Sequence, residues 1–396
     1  MPETSRPMPR ARDLGIRIGH GQPGPHNAIT DVAGVRVGHT TLISGDGPLV
    51  VGQGPVRTGV TVIVPHDGDI WREPVFAGSF TLNGNGELTG LEWMRESGFL
   101  GGAIGLTNTH SVGVVHDALI AAAVSGSPPG AEFWALPVVG ETWDGQLNDI
   151  NGFHVRSEHL HAALEAASDG PVAEGNVGGG TGMICHEFKG GIGTASRLLP
   201  PEAGGWTVGA LVQANYGDRD QLRIDGVPVG EAVGAHEVPS PWNVTRSPLT
   251  PMSARAGSTG GSIIGIVATD APLLPHQCER LATRAAIGVA RVGGYASHGS
   301  GDIFAAFATG NRNLSATAGE TADQHLTAPA RLVVDGAITP LLLATVEAVE
   351  EAIVNALVAA ETMVGRDGIT AHALPHDRLI EVMRRYGRNL EPSRGV

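Results

Sequence analysis

The run Ser262-Ile-Ile-Gly-Ile-Val-Ala-Thr-Asp270 is apolar without alternation, the pattern of a strand buried on both faces. It begins abruptly. Residues 235–261 carry Pro239, Pro241, Pro248 and Pro251 and then Ser253-Ala-Arg-Ala-Gly-Ser-Thr-Gly-Gly261, a composition that reads as a flexible linker. Elsewhere strands and helices alternate, which favours α/β or α+β layering. Residues 59–65, 103–108, 133–139 and 208–215 read as strands. Residues 87–98, 116–124, 272–292 and 339–364 read as helices, with Leu274, Leu281, Ile287 and Val289 inward in the third. The Gly-dense segment 175–193 reads as a loop that lets backbone approach closely, and residues 1–10 as a loose tail.

Composition removes several classes. Glycine is frequent, 58 of 396 residues, yet without the period of collagen, and 41% hydrophobic residues suffice for a packed core. A net charge of −14 repels phosphate backbones, so nucleic acid is not an expected partner. Two cysteines, Cys185 and Cys278, cannot build a disulfide framework. No run of about 18 apolar residues spans a membrane. With a polar, Pro-rich start, the chain reads as a soluble cytoplasmic protein.

The Gly261–Ser262 junction is the most informative place for chemistry. A Ser Oγ could attack the preceding carbonyl, and cleavage would leave Ser262 with a new α-amine. That amine, with a reference pKa near ~7.7–8, is a base at neutral pH where a lysine is not. On composition alone, an ordinary loop entering a strand is the commoner reading. Gly299-Ser-Gly-Asp302 could orient a nucleophile or form a simple turn. Glu141-Thr-Trp-Asp-Gly145 offers acids for a cationic amine, or a solvated loop. Histidines are numerous, but there is no HExxH, and the glycine-rich loop lacks a P-loop pattern, so neither a metal nor a nucleotide is expected.

Several motifs together resemble the L-aminopeptidase/D-esterase family, which includes β-peptidyl aminopeptidases. They are Asn27-Ala-Ile-Thr-Asp-Val-Ala-Gly34, Leu82-Asn-Gly-Asn-Gly-Glu87, the run from Glu174 to Gly193, Val212-Gln-Ala-Asn-Tyr-Gly217, Gly261-Ser-Ile-Ile, Ala268-Thr-Asp-Ala-Pro-Leu273 and Ser300-Gly-Asp-Ile-Phe304. The resemblance implies a four-layer αββα sandwich like that of N-terminal-nucleophile hydrolases, with different connectivity. It implies one catalytic domain, residues 11–396, cut by the chain itself into an α chain 1–261 and a β chain 262–396. The two chains would stay associated, in a tetramer of such heterodimers. Ser262 would be the nucleophile, Ser300 and Asp302 its partners, Asn215 the oxyanion donor and Glu141 the acid that holds the substrate's amino group. Trp143 stands where the family pattern has Tyr, and an indole donates one hydrogen bond but accepts none. No cofactor is implied. Substrates would be short peptides, amino-acid amides or esters with α-L, D or β residues.

Two other readings compete. One is an acyltransferase like ornithine acetyltransferase, a self-cleaving group that typically uses Thr as nucleophile. The other is a binding relative that never cleaves, against which the intact set of Ser262, Ser300, Asp302, Asn215 and Glu141 argues.

Overall fold

The computed structural model describes residues 8–127, 133–242, 261–314 and 327–390. Residues 243–260 of the expected linker lie outside them. Strands β1 (Arg36–Ser44), β2 (Val56–Val64), β5 (Ile104–Asn108) and β6 (Val138–Thr142) form one sheet in that order. The second runs β4 (Phe99–Leu100), β3 (Val75–Gly84), β12 (Gly301–Ala308), β11 (Ser262–Thr269), β10 (Thr207–Asn215) and β9 (Gly191–Leu198). Short strands β7 (Ile184–Cys185) and β8 (Phe188–Lys189) pair beside it. Most neighbours are antiparallel. The two parallel pairs, β5 with β6 and β11 with β12, are each joined by a helical crossover, as parallel pairing requires.

Each crossover helix joins a second helix to make an outer layer. α2 (Val112–Gly126) and α3 (Ser157–Glu165) cover the first sheet; α1 (Leu91–Ser97) and α4 (Val229–Ala232) are short; α5 (Pro275–Arg291) and α6 (Thr339–Val358) cover the second. The four-layer αββα sandwich expected from the resemblance is therefore the architecture observed, a mixed α+β fold. β11 displays its logic. Ile264, Ile266 and Ala268 enter the core between the sheets, while Ile263 and Val267 enter the core under α5 and α6. All five are fully buried, each large side chain contributing about 1.5–3 kcal/mol.

Four expectations need correction. Residues 87–98 are not one helix: Leu88 bridges Gly140, Gly90 takes a left-handed φ of 73°, and the helix starts at Leu91. Pairing begins at Val138, not Phe133, since Pro137 has no N–H to give a ladder. Ile287 points outward and Cys278, Leu281, Ala282, Ala285 and Val289 point inward. The last long helix stops at Val358, because the Asn176 side chain takes both the N–H and the C=O of Glu361 and holds that backbone away from the helix.

Candidate active site

The site forms where the two sheets meet, at the first residues of β11 and β12 and the last residues of β3, β10 and β6. Register does the positioning. Ser262 lies opposite Asn215 of antiparallel β10 and opposite Gly301 of parallel β12. Each neighbour of the hydroxyl is thus fixed by a ladder rather than by a loop. The Gly301 amide donates to Ser262 Oγ at 3.2 Å and also to the Gly261 carbonyl at 3.2 Å. Gly261 fits only as glycine: a Cβ there would stand 2.5 Å from the Asn215 carbonyl and 2.6 Å from Tyr216 Cα.

Ser300 and Asp302 flank Gly301, and Ser300 Oγ donates to Asp302 Oδ1 at 2.6 Å. Asp302 is only 2% exposed. Burial pushes its carboxyl up to about 6, against the hydrogen bonds from Ser300 and the Ile263 backbone.

Asn215 is held at both ends of its amide. Oδ1 accepts from the Ile184 N–H at 2.8 Å, and Nδ2 donates to the Trp143 carbonyl at 2.9 Å. These partners fix which end is the NH2 group, and that group keeps a second hydrogen for another acceptor.

Glu141, near the end of β6, is 3% exposed and has no ion pair among the described residues. Oε1 accepts from the Glu87 N–H at 2.9 Å, and Oε2 accepts from the Thr109 hydroxyl. Burial raises its pKa despite those bonds. The Asn83-Gly-Asn-Gly86 segment links it to the strand beside Ser262: a Cβ on Gly86 would lie 3.1 Å from both Glu141 Oε1 and Gly301 Cα. The solvated-loop reading of 141–145 is thereby overturned, since Glu141, Thr142 and Asp144 are all buried. Asp144 is pushed up to about 7 by burial.

All the residues singled out in the sequence converge here, Trp143 through its main-chain carbonyl. Sequence reasoning missed the Gly301 amide, Thr109 and the Ile184 N–H. Backbone donors leave no residue-type signal, and Thr109 differs in no way from any other Thr. None of the residues lines the half-open cavity of about 530 Å³ walled by Trp71, Trp93, Phe99, Phe133 and Trp134. Among the described residues no group of three or more His, Cys, Asp or Glu could hold a metal ion, and no helix is long and apolar enough to cross a membrane.

Comparison with known proteins places this geometry. The family model "Peptidase family S58" matches residues 27–371. Beta-peptidyl aminopeptidase BapA of Sphingosinicella microcystinivorans is 50% identical over 380 residues, 96% of this chain and 93% of the relative. Among solved structures, a Burkholderia beta-aminopeptidase is 54% identical with a TM-score of 0.86, covering 96% of this chain and 100% of that one. The L-aminopeptidase D-Ala-esterase/amidase of Ochrobactrum anthropi is described as a prototype for the serine aminopeptidases and a variant of the Ntn hydrolase fold. It is 44% identical with a TM-score of 0.83, covering 97% and 100%. A family match over most of the length, on a fold shared with serine aminopeptidases, settles the class: the chain belongs to peptidase family S58, and it is a serine peptidase.

Proposed function

We propose that this chain cuts itself between Gly261 and Ser262 and then, through an acyl-enzyme on Ser262, removes N-terminal residues from short peptides, amino-acid amides and esters. One observation carries the reading. The Gly301 N–H points at both the carbonyl oxygen before the junction and the hydroxyl after it, so a single donor polarises the electrophile and holds the nucleophile beside it. Oγ attacks the Gly261 carbonyl carbon, the C–N bond breaks, and the nitrogen takes the proton. Water then hydrolyses the ester, leaving a carboxylate on Gly261 and a free hydroxyl and α-amine on Ser262.

In the processed enzyme the α-amine accepts the Oγ proton, directly or through Ser300, as Oγ attacks the substrate. Asp302 accepts from the Ser300 hydroxyl and keeps that relay oriented. The second Nδ2 hydrogen of Asn215 meets the oxyanion, a contribution of about 2.7–4 kcal/mol where such donors have been removed. Asn215→Ala should therefore lower kcat by about 10²–10³-fold with little change in KM, measured by steady-state hydrolysis of an amino-acid p-nitroanilide. The amine or alcohol leaves, and water releases the acid.

Glu141 is a buried carboxylate without a counter-ion among the described residues, and a substrate ammonium supplies one. An acetylated amine brings no charge and leaves the carboxylate unpaired, which costs about 1–3 kcal/mol or more. Free amides should turn over while their N-acetyl forms do not. Equal kcat/KM for the two would remove Glu141 from this role. Association of the two chains and assembly into a tetramer belong to the same reading, and sedimentation of the processed protein tests them.

A further inference from the structure

The chain contains 25 arginines and one lysine, Lys189. It is the one primary-amine side chain in the sequence, and it is fully buried. It sits on β8 opposite Ile184 of β7. Its Nζ donates to three main-chain carbonyls, Gly190 at 2.7 Å, Met183 at 2.8 Å and Gly180 at 3.3 Å. Three donors meeting three acceptors is the complement of an ammonium; a neutral amine would turn its lone pair on one of the oxygens. No carboxylate pairs with it among the described residues. The titratable side chain whose charge acts on it is Cys185, on the paired strand; the Lys189 amide donates to the His372 carbonyl at 2.7 Å.

The Met183 carbonyl and the Ile184 N–H are two ends of one peptide group. The first accepts from Lys189, and the second donates to Asn215 Oδ1 at 2.8 Å. A cation on the oxygen of a peptide polarises it and strengthens its N–H as a donor. The same effect repeats in the Asn215 amide, where a better-bound Oδ1 makes Nδ2–H a better donor. We propose that Lys189 is a positioning residue of the reaction: through the Met183–Ile184 peptide it fixes and polarises the Asn215 amide, so that a buried positive charge acts on the oxyanion at two amide groups' remove. The inference rests on Asn215 being the oxyanion donor.

Burial lowers the Lys189 pKa to about 7, so the protonated, active form is lost as pH rises through that value. The Ser262 amine acts in the opposite sense and limits turnover at low pH.

The test is a double-mutant cycle of Lys189→Met and Asn215→Ala, read as kcat and KM for an amino-acid p-nitroanilide on folded, processed protein. Lys189→Met should lower kcat on the order of tenfold or more, below the loss from removing the donor itself, with KM within about twofold. In the Asn215→Ala background it should cost almost nothing further, because its path is gone. Equal losses in both backgrounds, or a change in KM alone, would overturn the proposal. An unchanged kcat in Asn215→Ala would instead remove the oxyanion assignment beneath it. Where Lys189→Met does not fold or process, the wild type decides. Incorporating ¹³C-lysine labels a single side chain, whose NMR titration should coincide with the alkaline limb of kcat. A kcat that stays flat through that titration refutes the proposal.

Discussion

Ser262→Ala should give one full-length chain in a denaturing mass spectrum where the wild type gives two, the smaller beginning at Ser262. Its turnover should fall by at least about 10⁴-fold, since nucleophile and general base disappear together when neither the hydroxyl nor the new α-amine exists. The fold should survive. Among the described residues Ser262 Oγ accepts one hydrogen bond, from Gly301 N–H, worth about 0.5–1.5 kcal/mol, and an alanine Cβ occupies the same place in the strand. Far-UV circular dichroism and the melting temperature would therefore remain close to those of the precursor. Splitting at the same bond in Ser262→Ala would mean that another group attacks Gly261, and the role of Ser262 would have to be reassigned.

The largest loss of stability should come from a residue far from the chemistry. Arg197, on β9, is 1% exposed and donates to Glu347 Oε2 at 3.1 Å and Glu351 Oε2 at 2.7 Å on α6, and to the Ile18 carbonyl at 2.7 Å. Arg12 adds a bidentate pair to Glu351, at 2.7 and 2.8 Å. The N-terminal segment, α6 and the second sheet are thus bound by one charge network. Arg197→Met leaves the buried Glu347 without its cation and Glu351 with Arg12 alone, at a cost of about 3–5 kcal/mol. At about 2–4 °C per kcal/mol, calorimetry should record a fall in Tm on the order of 10 °C. Burial opposes charge on both glutamates, yet their hydrogen bonds and Arg197 hold both below the ordinary Glu value. The folded pKa is depressed, so this stability is present above the unfolded value near ~4.3 and is lost as pH falls through the folded values. Without Arg197 the charge that most lowers the Glu351 pKa is gone, so that pKa rises and acid destabilisation should begin at a higher pH. An unaltered Tm in Arg197→Met would show that the network is neutral.

Local pattern carried much of the fold. The apolar runs 208–215 and 262–270 are strands because such runs can be covered only inside a layered protein, and the 272–292 periodicity is a helix with its ends trimmed to Pro275 and Arg291. Motif resemblance carried the choice of Ser262, Asn215, Ser300, Asp302 and Glu141. What it lacked was their environment. The segment after Glu141 has the composition of a solvated loop, but it is buried because β6 ends facing the second sheet and long-range pairing overrides local polarity.

Element boundaries failed for both local and long-range reasons. Gly90, Pro137 and Asn176 end or delay elements through a left-handed turn, a missing donor and a bond to a distant main chain.

Residue pattern revealed the layered class and the place of Ser262 at the head of a buried strand, and motif resemblance supplied the candidate residues of the site. Long-range strand pairing set Asn215 and Gly301 on either side of Ser262, since strand order in a sheet is not written in the order of the chain. The tertiary structure decided that a lysine among glycines reaches the same amide through one peptide group. A hydrogen bond made by main-chain atoms has no letter in the sequence, and the backbone must fold before it exists.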